Sequence, residues 1–385
     1  MTIKKIMKKI SKLLIVFFLT NCNQSPHKSG YLDIPPETGE VRKVSSLVKD
    51  VTITPLIGDL GNLPYEADKI SVTDDLILIG DFNFSQSLFA FDRASGETLE
   101  VPIRKGEGPY EVKEVDDFWV EGNQIYVLDG IGRKVIPLSY WEKTFEIEDP
   151  IRLEVLTQRF AKTKTGFVAL TGGGQDNELV FFNKSGKVIS SHLPHSIAYL
   201  MKPLNPFHKL HSDDRTIFHS SFEPVFYQVE QGELNPLDTL AFQGKGIQSP
   251  KNTDFVMDLD GFNQFRESLR NQPSMFSVFE STGKQTILFY FYSNKSYFAL
   301  FSEEKNISIQ SENLVNDLSF DYEVGFPIAK GVSNAKFLAS IIKEQVNQEH
   351  PNFEGSELQK AIIANPLTEV FLLEFSLDLK RKNSD

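Results

Sequence analysis

The sequence predicts an all-β chain closed into a six-bladed β-propeller, with short helical insertions in the later blades. Three observations lead there: a pair of short apolar strands recurs six times, the spacing of the pairs matches a four-stranded blade, and one early β-rich run stands without a partner. The first strand of the pair reads Ile77-Leu78-Ile79-Gly80-Asp81, then Ile125-Tyr126-Val127-Leu128-Asp129, then Phe167-Val168-Ala169-Leu170-Thr171, with further copies from Thr216, Ile287 and Phe337. Each is followed by a second: Leu88 to Asp92, Lys134 to Leu138, Leu179 to Asn183, Val225 to Val229, Tyr297 to Phe301 and Val370 to Phe375.

Taken in order, the landmarks Phe91, Leu138, Phe182, Val229, Phe301 and Phe375 are separated by 47, 44, 47, 72 and 74 residues. The first three spacings fit one blade of roughly 40 to 50 residues. The longer two require insertions, and helical composition places short helices within Asp254 to Leu269 and over Glu357 to Ala364. Two hairpins carry the same turn chemistry, Asp92-Arg93-Ala94-Ser95-Gly96 and Asn183-Lys184-Ser185-Gly186. There the Asp or Asn caps the local backbone and the Gly supplies positive φ. The unpartnered run Val48 to Ile57 is expected to close the ring as an outer strand of the last blade, because a row of blades otherwise leaves two apolar faces bare. The 32 phenylalanines suit sheets packed face to face.

Ahead of the ring the chain carries an address. Lys4, Lys5, Lys8, Lys9 and Lys12 precede the apolar run Leu13 to Leu19, the layout of a secretory signal, and the run is far shorter than the roughly 20 residues of a membrane-spanning helix. It ends in Leu19-Thr20-Asn21-Cys22, which resembles the lipobox of bacterial lipoproteins, with Asn21 where Gly or Ala is usual. That resemblance implies lipidation of Cys22 and anchoring to a membrane through acyl chains. The expected organisation is a signal peptide over residues 1–21, a flexible tether over 22–44 and the propeller over 45–380. The formal charge of -12 becomes about -17 once the five lysines are removed.

The segment Ile103 to Val112 contains Gly106-Glu107-Gly108-Pro109-Tyr110-Glu111. It resembles the G-x-G-P-G-E-Y signature of the six-bladed β-propeller lipoproteins of Bacteroidota, a TolB-like group. Asp92 with Gly96, and Ala364-Asn365-Pro366-Leu367 before the last strand, match further elements of that family, and Tyr110 and Val112 depart from it. The resemblance covers residues 45 to 380 and implies a lipoprotein at the surface or in the periplasm, with Gly106, Gly108 and Pro109 as a structural motif. It implies no particular activity.

Composition excludes several functions. An acidic chain with no Lys/Arg cluster after residue 12 has no footprint for nucleic acid, and one cysteine excludes internal disulfides and cysteine-based metal sites. Gly106 to Pro109 lacks the Lys-Ser/Thr ending of a phosphate loop, Gly172-Gly173-Gly174 reads as a flexible loop, and no G-x-S-x-G elbow occurs. Asp254, Asp258, Asp260 and Gly261 fail the calcium-loop template, which puts Phe262 and Leu269 where oxygen ligands belong.

The densest chemical signal is His192, His195, His208, His211 and His219, a set able to ligate zinc or copper, although the prolines among them argue for loop and strand-edge imidazoles. Trp119, Trp141, Tyr199 and Tyr292 are candidates for stacking on a ligand at the channel mouth. The preferred expectation is a lipid-anchored binding or scaffold module of the outer membrane, on its periplasmic face, with a protein, peptide or glycan partner and no cofactor. The alternative is a propeller enzyme, a metal-dependent lactonase-like hydrolase or a lyase, with its site at the channel mouth. The residues Asn23 to Lys28 lack an acidic run resembling a surface-export signal, which favours the periplasmic face.

Overall fold

Strands apolar on both faces need a neighbour on each side, and the second strand of the first blade, Leu76–Asp81, is buried along its whole length. Leu76 and Leu78 pack with Phe118, Val127 and Ile136 of the next blade, whereas Ile77 and Ile79 pack with Leu338 and Leu372 of the last. Alternation with period two thus sends one strand's side chains into two different interblade cores. The computed structural model describes residues 30–59, 63–171, 176–194, 203, 205–210, 215–248, 258–321 and 326–380. Its six small sheets form a ring, the six-bladed β-propeller expected from the repeats.

Blade 1 comprises Lys69–Val72, Leu76–Asp81, Ser87–Asp92 and Thr98–Leu99, from the channel outward. Blade 2 comprises Asp117–Glu121, Gln124–Asp129, Lys134–Trp141 and Thr144–Ile147. Blade 3 comprises Thr157–Thr163, Gly166–Thr171, Asn177–Asn183 and Val188–Pro194, and blade 4 Phe207–Leu210, Arg215–Phe218, Val225–Glu230 and Glu233–Phe242. Blade 5 comprises Ser274–Ser281, Gln285–Tyr292, Lys295–Ser302 and Asn306–Gln310. Blade 6 takes Gly331–Ser333, Lys336–Ile342 and Val370–Leu377 from the C-terminal part and its outer strand, Val48–Leu56, from the N-terminal part. All six strand pairs read from the sequence are the second and third strands of blades, and the unpartnered early run closes the ring as expected.

The two insertions hold helices, Leu259–Ser268 and Glu357–Ala364. The first lies within the expected span, and the Asp258 carboxylate caps it by accepting from Gly261 N–H; residues 254–257 lie outside the described set. The two matching turns behave as their residues dictate. Asp92 accepts from Ser95 N–H and Asn183 from Ser185 N–H, while Gly96 and Gly186 take φ of 72° and 80°.

One expectation is corrected. Residues 30–44 are no flexible tether: Gly30–Ile34 pairs in parallel with the outer strand of blade 4, Glu37 bridges Ser308 of blade 5, and Arg42–Lys43 pairs with Leu314–Val315. Outer blade strands expose unpaired backbone groups, and this strap satisfies some of them while sinking Ile34 into the core beside Phe226 and Leu240. Residues 1–29, with the expected signal, Cys22 and the rest of the expected tether, lie outside the described residues.

Blades 6 and 1 are locked by polar contacts as well. Ile70 N–H donates to Lys330 O, Ser333 Oγ–H to Val72 O, and the Arg93 guanidinium bonds both Glu374 oxygens at 2.7 Å. Glu374 is almost fully buried, so Arg93→Ala strands its charge and is expected to cost about 3 kcal/mol, read from denaturant unfolding. The paired change Arg93→Met with Glu374→Leu is expected to recover most of that loss; equal instability of single and double variants contradicts this account.

Candidate functional site

The inner strands of the six blades surround the channel, and its wall is built from the residues they turn inward. A cavity of about 100 Å³ there is lined by Lys69, Trp119, Asn205, His208, Glu280 and Lys330, among others. Four of these come from inner strands, of blades 1, 2, 4 and 5, whereas Lys330 lies one residue and Asn205 two residues before such strands.

Blades 1 and 2 position their inner strands with the same device. Asp68 accepts from Phe82 N–H at 2.6 Å, and Asp116 accepts from Gly130 N–H at 2.7 Å. Asp81 accepts from Tyr65, Phe84 and Ser85 N–H groups, and Asp129 from Lys113 and Gly132 N–H groups. Both pairs are separated by 48 residues, so this is one latch written twice: a carboxylate before the inner strand and another at the end of the second strand pin the loops at that end of the blade. The next residues, Lys69 and Asp117, are also 48 apart and carry opposite charge. They meet across the blade boundary, Lys69 Nζ at 2.8 Å from Asp117 Oδ1, with the ammonium over the Phe118 and Trp119 rings. The other oxygen of Asp117 accepts from Phe160 N–H of blade 3, so one buried carboxylate joins three blades.

Opposite them lies part of the histidine set. His208 Nε2 is 3.1 Å from His219 Nδ1, and His208 Nδ1 is 3.6 Å from Glu280 Oε2. Phe226 and Phe279 pack on the His219 ring, and burial pushes its pKa well below the ordinary value, so it serves as the neutral partner. His192 is elsewhere, its Nε2 bonded to Gly232 O at 2.8 Å and its ring edge-on to Phe181. His195 and His211 lie outside the described residues. Two of the five histidines are therefore brought together, and among the described residues no group of three or more His, Cys, Asp or Glu forms a metal site.

Lys330 is a buried ammonium whose pKa is pushed down by desolvation against the pull of Glu66, Asp68 and Glu280. Sequence reasoning missed Lys69, Asp117, Glu280 and Lys330. For the first two the signal was present as opposite charges at equivalent positions of consecutive repeats.

The glycine motif is a structural turn. Gly106 N–H donates to Val112 O, Gly108 N–H donates to the Glu111 carboxylate at 2.9 Å, and Lys134 Nζ reaches Gly108 O. The loop thus receives an anion from its own chain. Tyr110 is not in the left-handed region and donates its hydroxyl to Asp149. Of the aromatic candidates, Trp119 is 5% exposed within a core cluster, Tyr292 packs on Phe242, Trp141 is 65% exposed and Tyr199 lies outside the described residues.

Comparison with known proteins agrees with this architecture. A sequence profile described as "Domain of unknown function (DUF4934)" matches residues 33–365. A Bacteroides fragilis NCTC 9343 protein whose name marks it as exported superposes with a TM-score of 0.71 at 16% identity, covering 90% of this chain and 99% of that one. A duf4221 family member from Bacteroides vulgatus ATCC 8482 reaches 0.50 at 10% identity, covering 86% and 98%. No curated protein matches the chain.

The latch has a measurable signature in pH. Burial pushes the Asp116 carboxyl up to about 7 from its ordinary 3.8. A carboxyl that binds its proton more tightly in the folded state adds most stability below the ordinary value, and loses that contribution as pH rises through the folded one. The slope between 3.8 and about 7 is at most about 1.4 kcal/mol per pH unit. Asp116→Asn is expected to flatten the stability profile over that window relative to the parent chain; an unchanged slope sinks the assignment.

Proposed function

The chain belongs to the DUF4934 family, and from that premise and the geometry above we propose that it is a binding or scaffold module of the cell envelope. It is held to a membrane by a lipid on Cys22 and meets a protein, peptide or glycan partner on the faces of the ring. The observation that carries this reading is the state of the channel. Its cavity of about 100 Å³ is well below the roughly 300 to 1,000 Å³ of ordinary small-molecule sites, and Lys69, Asp117, His208 and Glu280 are engaged with one another across blades. Charges committed to holding the ring together leave recognition to the outer surfaces.

The exported Bacteroides neighbour supports an envelope address. Among the described residues no helix is long and apolar enough to cross a membrane, and the lipobox-like Leu19 to Cys22 supplies the anchor in this reading. The resemblance to TolB-like lipoproteins points the same way, and the residues after Cys22 favour the periplasmic face.

A second reading, a metal-dependent lactonase-like hydrolase or a lyase, draws on one arrangement: His208 stands between His219 and Glu280 at the cavity wall. Metal analysis of the purified full chain tests its metal-dependent form, and a protein that neither holds nor takes up zinc or copper ends that form.

Affinity capture from the native envelope tests the first reading. A partner recovered reproducibly with the parent chain and lost on mutation of the ring's faces supports it, whereas absence of any retained partner counts against it. Cys22→Ser is expected to move the protein from the membrane fraction to the soluble one; unchanged partitioning refutes lipidation.

A further inference from the structure

At the outer rim, where blade 1 meets blade 6, one blade is incomplete. The outer strands of blades 2 to 6 run for 4, 7, 10, 5 and 9 residues, whereas that of blade 1 is only Thr98–Leu99. The backbone bonds show which groups this leaves over. Arg93 N–H donates to Asp75 O, so in the third strand of blade 1 the odd-numbered residues bond the second strand, and Leu88, Ala90 and Asp92 face outward. Asp92 N–H donates to Glu97 O and Ala90 pairs with Leu99; in that register Val101 would face Leu88. The pairing stops there, because Val101 and Ile103 pack instead against the core between blades 1 and 2. Among the described residues, Leu88 has no strand partner on its outer side.

Leu88 lies in the wall of a groove of about 1,000 Å³, ten times the channel cavity and at the upper end of the range of ordinary binding sites. Phe89, Leu99 and Val101 line it from blade 1, Ile57 from just past the outer strand of blade 6, and Leu367 from the turn before the last strand. Ile57 is 44% exposed and Leu367 90%, and the bond from Thr368 N–H to Asn365 O closes the turn that carries Leu367. The charges of the groove have one sign. Asp59, Glu97 and Glu100 line it and, among the described residues, no Lys or Arg does; Lys105 gives its ammonium to Ser85 O at 2.9 Å. We propose that this groove binds an extended segment of a partner protein, apolar and basic in alternation, laid against Leu88 as the missing part of blade 1's outer strand. The proposal rests on the binding-module reading and narrows it to one class of partner and one place. A strand alternates its side chains, so one set covers Ile57, Phe89 and Leu367 while lysines or arginines of the other meet the three carboxylates. The bare positions opposite Ser85 to Phe89 take about five residues, or about 17 Å of extended chain.

Fluorescence anisotropy of labelled octapeptides with the full chain in detergent tests this. The probes alternate lysine with valine, isoleucine, leucine or phenylalanine, and matched peptides carry glutamate in place of lysine. At least one lysine peptide is expected to bind saturably, with its glutamate counterpart at least about tenfold weaker. A strand turns every second N–H toward its neighbour, so methylating one alternate set of backbone nitrogens in that peptide is expected to abolish binding and methylating the other set to leave it. Leu367→Ser alters a side chain that stands in solvent; the variant is expected to fold as the parent does and to bind about tenfold more weakly. Glu97→Lys with Glu100→Lys is expected to reverse the preference between lysine and glutamate peptides. The proposal is overturned by no saturable binding of any lysine peptide, by equal effects of the two methylations, or by unchanged affinity in both variants. An envelope partner, protein or glycan, captured undiminished by both variants overturns the groove and leaves the binding-module reading standing, whereas no captured partner together with no bound peptide ends both.

Discussion

Every blade of this molecule buries both of its faces, so none is complete without the two beside it, and the ring must close for any part of it to be stable. Closure falls at the junction of blades 6 and 1, where the backbones approach so nearly that a Cβ on Gly331 would lie 2.0 Å from Ile70 O. That glycine is required by contact with a neighbouring carbonyl and not by its own φ. The apolar core that spans the junction, Ile77, Ile79 and Phe91 of blade 1 with Leu338 and Leu372 of blade 6, forms only when the junction is shut.

The second constraint is the absence of cross-links. The ring contains no cysteine, and buried carboxylates take over part of the work of fixing loops. Asp68, Asp81, Asp116 and Asp129 each accept from backbone N–H groups that would otherwise be orphaned in the loops framing the first two blades. Asp117 extends the arrangement sideways, taking Lys69 from one blade and Phe160 N–H from another. These bonds tie the loops and inner strands of the first three blades to one another.

The fold was legible because it rests on local, repeated signals: alternating apolar residues, turn residues that dictate φ, and a spacing near 47 residues. Gly96 and Gly186 needed no tertiary context to be read. The candidate site was legible only in part. His208 and His219 are eleven residues apart, and only the pairing of the first two strands of blade 4 brings their rings together. Glu280 and Lys330 belong to later blades with irregular spacing, so nothing local predicted their convergence. Trp119 and Trp141 are alike by residue type, and the pleat decides their fates, one turned into an interblade core and the other ending a strand at the rim. The strap over residues 30–44 was read as tether because its polar, proline-containing sequence lacks apolar periodicity; its docking depends on an outer strand two hundred residues away.

That strap gives the molecule a mechanical polarity. Gly30–Ile34 lies parallel to the outer strand of blade 4, so tension applied through the N-terminal end loads that ladder in shear, with its bonds sharing the force instead of unzipping one at a time. Beyond it, the load passes along the edge of blade 5 and into Val48–Leu56, the strand that completes blade 6. A chain pulled from this end therefore grips half the circumference of its own ring before the closure strand is reached.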